Sequence, residues 1–168
     1  MDKEQLIAFI ENAFDEVEQP KDITIHVAEA HDDYDYEHDL AHREKDFFGP
    51  WQEVPLDHIE SCRTALCYVD KVGMRFYLPA YMIWYLKYFG EDRIGDDNIL
   101  YALDNNPNDQ ELFKYHQERF SLFNNSQLKA CALFVKFCAN DQTGFTDTYY
   151  AKKKYENYWH QFNVEIVT

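Results

Sequence analysis

The sequence predicts a mainly α fold, a helical bundle built as a single domain over residues 1–168. Three observations predict it. Apolar residues recur at three- and four-residue intervals along most of the chain. Only 5 Gly and 5 Pro interrupt these stretches. The length of 168 residues lies in the usual range of one domain, roughly 100–200 residues, and 46% of the residues are apolar. A chain of this size buries a core without the help of a disulfide or a structural metal.

The first predicted helix covers residues 3–17. Leu6, Ile10 and Phe14 recur at helical spacing and form an apolar stripe. Asp2 precedes the stripe and is followed by a glutamine three residues later, which is the pattern of a capping box.

Two segments depart from the helical pattern. Residues 23–28, Ile-Thr-Ile-His-Val-Ala, alternate apolar and polar side chains and are rich in β-branched residues, which is typical of a strand. Residues 163–168 have the same character. The two segments indicate, as an addition to the bundle, a short two-stranded β ribbon that packs against the helices.

Residues 29–46 form an acidic, histidine-rich excursion. They include eight Asp or Glu and three His but only two Lys or Arg. The following run, Phe47-Phe48-Gly49-Pro50-Trp51, combines aromatic and turn residues. We expect a partly helical excursion that its aromatic end pins to the core.

The most apolar stretch, residues 75–89, belongs at the centre of a bundle because it is apolar on nearly all sides of a helix. Pro79 within it predicts a kink or the start of a new helix. Residues 124–139 form a later helix that begins with Asn124 and Gln127 in a capping pattern.

Residues 146–163 predict a C-terminal aromatic helix, since Tyr155, Tyr158, Trp159 and Phe162 fall on one face. An end helix of this kind packs on the body of its own chain or on another copy. A homo-oligomer is therefore one possible assembly.

The charge excludes several classes of partner. Thirty-one Asp and Glu against 16 Lys and Arg give a net charge of −15, which repels nucleic acid and anionic membranes. The same charge attracts a basic protein. No apolar run reaches the roughly 18–20 residues of a membrane span, and the first residues do not resemble a signal peptide. We expect a cytoplasmic protein whose four cysteines are reduced.

One group of residues has the spacing of a metal site. His38 and His42 are four residues apart, so on a helix both imidazoles would face one zinc ion. Asp39 stands where the metalloprotease pattern has its glutamate base. His31, Asp35 or a distant carboxylate would supply the third ligand. A solvated acidic face explains the same residues more simply, so the prediction is no cofactor, with a divalent metal as the alternative.

Aromatic residues give a candidate contact surface, because Tyr and Trp are enriched at protein interfaces. The alternative interpretation is that these residues form the core. The candidates are Trp51, Tyr77, Tyr81, Trp84, Tyr155, Tyr158 and Trp159.

Two segments also carry a resemblance. The sequence Arg75-Phe76-Tyr77-Leu78-Pro79-Ala80-Tyr81-Met82, followed by Glu118-Arg119-Phe120-Ser121-Leu122 and Gln127, resembles an uncharacterised bacterial family. That family has an R-F/Y-Y-L-P-A-Y-M segment and a later R-F-S-L-L segment with a glutamine. The resemblance covers most of residues 6–139 and implies a domain type and a bacterial cytosolic setting, but no reaction.

The leading functional hypothesis is a non-enzymatic, acidic protein-binding module, for example an immunity-type protein that masks a basic toxin. No Gly-x-Ser-x-Gly, P-loop or Gly-x-Gly-x-x-Gly motif indicates an enzyme. The alternative is a metal-binding protein or metal-dependent enzyme that uses His31, His38 and His42.

Overall fold

The computed structural model describes residues 1–89, 91 and 98–163. In these residues the chain forms nine α-helices joined by short connections. They are α1 (Lys3–Ala13), α2 (Ile25–Asp32), α3 (Asp39–Arg43), α4 (Leu56–Ser61), α5 (Lys71–Lys87), α6 (Asn98–Ala102), α7 (Gln110–Arg119), α8 (Asn125–Ala139) and α9 (Thr148–Asn157). Short 3-10 helices cover Trp51–Glu53, Ala65–Cys67 and Trp159–Phe162. The mainly α fold is therefore confirmed.

The helices begin where local sequence signals place them. Asp2 and Gln5 form a reciprocal capping box at α1, and Asn124 and Gln127 form one at α8. Both boxes were predicted from the sequence. Aspartates also cap α5, α7 and α9 through side-chain acceptance of a backbone N–H.

Helix α5 forms the centre of the core, with 13 of its 17 residues buried. It runs continuously through Pro79, so no new helix begins there. Packing on all sides outweighs the single intrahelical hydrogen bond that proline removes. Near its start, a Cβ on Gly73 would lie 2.9 Å from the Val69 Cβ, so only glycine fits this close approach.

The predicted β ribbon is wrong in its first half. Residues 25–28 lie in α2, where Ile25, Val27 and Ala28 are buried, and no strand occurs in the part of the chain that the structure describes. The alternating pattern gave a wrong prediction because a preference for strand mostly reflects how side chains pack in a sheet. Ala28, Glu29 and Ala30 also favour continuation as a helix. Residues 164–168 lie outside the described residues.

The C-terminal aromatic segment packs on the body of the protein. Helix α9 and the 3-10 helix after it both contact α8. Trp159 is fully buried, and its indole N–H donates to the carbonyl of Leu103 at 2.8 Å. None of the described helices combines the length and apolarity that a membrane span needs.

Candidate functional site

The acidic segment, residues 29–46, is fixed to the body at both ends. Its start belongs to α2, and its last residue, Asp46, is only 7% exposed. Five residues further on, Trp51 is buried, and its indole N–H donates to the carbonyl of Phe14 at 2.8 Å. The expected aromatic anchor is therefore Trp51, whereas Phe48 is 67% exposed.

The three histidines of this segment each bond a carboxylate. His38 precedes α3 as its N-cap, so it is not inside a helix with His42 as the zinc pattern required. Instead, His38 Nδ1 and His42 Nε2 lie 2.7 and 2.8 Å from the two oxygens of Asp35. His31 Nε2 lies 2.8 Å from Asp39. Among the described residues, no group of three or more His, Cys, Asp or Glu has the arrangement of a metal site.

Asp35 is therefore an acceptor for two imidazoles rather than part of a bare acidic face. The hydrogen bonds from His42 and His38 lower the pKa of Asp35 to about 2. Its carboxylate stays charged well into the acid range, and it links the start of α3 to the end of α2.

Helix α2 ends in a turn that strains a tyrosine. The N–H of Asp35 donates to the carbonyl of Ala30, and the N–H of Tyr34 to that of His31, which together form a Schellman motif. Tyr34 occupies the left-handed position with φ 61°, where glycine is the usual residue. Its side chain is 83% exposed, so packing does not compensate for the strain.

Large apolar side chains that follow Tyr34 in the sequence are also exposed. Tyr36 is 58% exposed, Leu40 72% and Phe48 67%. Carboxylates of the acidic segment stand between them in the sequence. The segment therefore presents aromatic and apolar groups in a negatively charged setting, and we call residues 33–48 the acidic face.

A buried polar contact that the sequence did not indicate holds the end of the acidic segment. His26 Nδ1 lies 2.8 Å from Asp46 Oδ1, and the His26 ring packs edge-on against His58 with centroids 4.7 Å apart. The hydrogen bond to Asp46, followed by one with the Cys62 thiol, raises the pKa of His26 to about 9. Asp46 and Cys62 lie 20 and 36 positions from His26 in the sequence, so no local spacing could have revealed these contacts.

The arrangement of carboxylate, imidazole and thiol resembles that of a cysteine hydrolase in composition only. The residue Cys62 is 1% exposed, so its sulfur has no route to a substrate. The contact instead fastens the acidic segment to α2 and α4.

The predicted aromatic contact surface is corrected by burial, because most of its members form the core. Exposure is 2% for Trp51 and Tyr77, 1% for Tyr81, 5% for Trp84, 9% for Tyr158 and 0% for Trp159. Tyr155 is half-buried. Trp51 and Trp84 also line a small surface cavity of about 160 Å³. The core interpretation of these side chains therefore describes the structure.

The family is shown by a match over nearly the whole chain. A family model described as a family of unknown function, DUF6714, matches residues 2–163. The chain belongs to the DUF6714 family. Searches of curated proteins and of solved structures each found no match.

In this DUF6714 chain, the segments that carry the family resemblance are largely buried. Residues 76–82 lie within α5 with all of their side chains buried, and Arg119 and Phe120 lie buried at the end of α7. The acidic face lies outside these segments. Core packing and surface chemistry are thus separated along the sequence.

Proposed function

We propose that this DUF6714 protein is a non-enzymatic protein-binding module of the bacterial cytosol whose acidic face captures a basic partner. An immunity-type protein that masks a basic toxin is the specific version. The observation that carries the proposal is Tyr34, which keeps a strained backbone and an almost fully exposed ring. Glu16 has the same left-handed backbone, so what distinguishes Tyr34 is the exposed aromatic ring, a side chain that protein interfaces use for contact area.

Charge supports the same partner. The protein has a net charge of −15, and residues 29–46 contain eight acidic against two basic residues. Electrostatic attraction speeds the encounter with a basic protein, while exposed aromatic rings supply the contact area that holds it. Because exposed apolar groups stand among carboxylates, the acidic face provides both the electrostatic attraction and the contact area.

Salt dependence tests the electrostatic half of the proposal. With a basic protein encoded by a neighbouring gene as the partner, we expect the association rate to fall at least about tenfold between about 0.05 and about 0.5 M NaCl. Stopped-flow fluorescence measures it. Phe48→Ala should weaken binding, and Tyr149→Ala should not, because Tyr149 is a similarly exposed ring, 68%, outside the acidic face. A rate that ignores salt, or equal effects of the two variants, contradicts the proposal.

Tyr34→Gly tests whether strain is kept for binding. We expect the free energy of unfolding to rise by ~0.5–1 kcal/mol, because glycine adopts the left-handed conformation without steric cost. Partner affinity should fall at the same time. Urea denaturation and binding measurements give the two quantities.

Glu16→Gly is the matched control, since Glu16 is exposed and has φ 58° outside the acidic face. It should stabilise the protein to a similar degree and leave binding unchanged. If Tyr34→Gly binds the partner as tightly as the natural protein, the ring has no role in the interface.

A further inference from the structure

In the part of the chain that the structure describes, the guanidinium of Arg119 is a buried charge that forms no ion pair with a carboxylate. Arg119 is 3% exposed, and among the described residues its only hydrogen bond goes from Nη2 to the sulfur of Met74 at 3.3 Å. Its Nε is buried, and no described residue accepts a hydrogen bond from it. The Tyr115 ring, 5.3 Å from the guanidinium carbon, offers only a cation–π contact. Burying an arginine in this way is strongly unfavourable unless an anion compensates.

The pKa values of Arg119 and of its neighbour His116 are both lowered in this buried environment. Burial lowers the pKa of Arg119, and the groups that oppose this effect are Tyr115 and Cys67, not a carboxylate. Burial, and then the positive charge of Arg119, lower the pKa of the adjacent His116 to about 4. His116 is therefore neutral at physiological pH and adds no positive charge of its own beside the arginine.

Arg119 also lines a cavity of about 400 Å³ between α5 and α7. Lys71, an exposed residue on the first turn of α5, adds a second positive charge to the lining. The N-terminal end of α5 contributes the positive end of a helix dipole. Tyr68, Val69 and Ile23 give the cavity apolar and aromatic walls, and its volume fits a small organic molecule.

We propose that this cavity binds a small organic carboxylate, with the carboxylate on Arg119 and Lys71 and the organic group against Tyr115 and Tyr68. Guanidinium and carboxylate match in shape and charge. Asp70 and Glu118 also line the cavity and offset the charges of Lys71 and Arg119, so the apolar and aromatic walls, which phosphate cannot use, favour an organic carboxylate over phosphate. One oxygen of Asp70 already accepts from the Gly73 N–H at 2.8 Å. The site does not depend on the proposed protein partner.

Titration with sodium benzoate tests the site, with inorganic phosphate and sodium chloride at equal ionic strength as comparisons. We expect saturable benzoate binding, seen in NMR spectra as a shift of the Arg119 Nε–H signal, and weaker binding of phosphate. Arg119→Met should weaken benzoate binding at least tenfold. Because it removes an unpaired buried charge, it should leave the melting temperature of the ligand-free protein equal or higher.

Lys71→Ala keeps the test decisive if the arginine variant unfolds. It should lower benzoate affinity about threefold through lost attraction, while Lys114→Ala, an exposed change on α7 outside the cavity lining, should have no effect. The proposal is overturned if benzoate does not bind saturably, if phosphate binds more tightly, or if Arg119→Met binds benzoate as well as the natural protein. It is also overturned if Arg119→Met unfolds and Lys71→Ala binds benzoate unchanged.

Discussion

Asp104→Asn is expected to lower the free energy of unfolding by ~3–5 kcal/mol, because it leaves a buried ammonium without its carboxylate. The side chain of Lys154 is 2% exposed, and its Nζ lies 2.8 Å from Asp104 Oδ2. At this distance the buried ammonium and the carboxylate form a charge-assisted hydrogen bond as well as an ion pair. Tyr150 adds a hydroxyl donated to the same carboxylate oxygen at 2.9 Å.

The stability that Asp104→Asn loses depends on pH because Lys154 changes its charge with pH. Burial, opposed by the hydrogen bond and charge of Asp104, lowers the pKa of Lys154 to about 8. Between about pH 8 and about 10.5 the unfolded chain holds more protons at this lysine, so stability contributed by this group rises with pH. The variant should therefore lose less stability at pH 10 than at pH 7, as urea denaturation at both values will show.

A second variant separates lost attraction from a general defect. Asp104→Asn combined with Lys154→Met should recover most of the stability, because an apolar side chain can occupy the buried position without a partner. Lys153→Met, on the exposed neighbour, is the control and should change little. A double variant as unstable as Asp104→Asn would show that the pair is not the cause.

Asp46→Asn is expected to cost ~2–3 kcal/mol at pH 6, where the charged pair with His26 is fully formed. The side chain of Asp46 is completely buried, and that of His26 is 16% exposed. The upper limit follows from the raised pKa of His26, about 9, and we reduce it because the ring is partly solvated. Loss of the pair also frees the C-terminal end of the acidic segment, at Asp46, from His26 of α2. Partner binding should therefore weaken.

The stability contributed by His26 changes with pH in the opposite direction from the stability contributed by Lys154. Because the pKa of His26 is raised, its contribution to stability is complete below about pH 6.5 and is lost as the pH rises towards about 9. Denaturation between about pH 6 and about pH 8 isolates this group from Lys154. The natural protein should lose stability over that range, and Asp46→Asn should not. Parallel curves for both proteins would contradict the assignment.

Local signals along the chain were enough to predict the helical class and several helix starts. Asp2 with Gln5, and Asn124 with Gln127, identify the starts of α1 and α8, because a capping box involves residues only three apart. The apolar stretch at 75–89 indicated the central helix for a similar reason, since a helix that is apolar on nearly every side must be buried.

Interactions between distant residues decided the rest. The alternation at residues 23–28 favoured a strand, yet burial of Ile25 and Val27 against the core made a helix. Asp46 reaches His26 across 20 positions, and spacing cannot reveal a pair of that kind.

The charge of the chain depends on its sequence alone, whereas the exposure of each side chain depends on the tertiary structure. Sequence alone established the charge of −15 and the acidic segment, because composition does not depend on the fold. Only tertiary structure placed Trp84 inside, Tyr34 outside and the buried Arg119 at the edge of a cavity. A side chain's surroundings depend on which helices pack around it, and that packing is a property of the whole chain rather than of any segment.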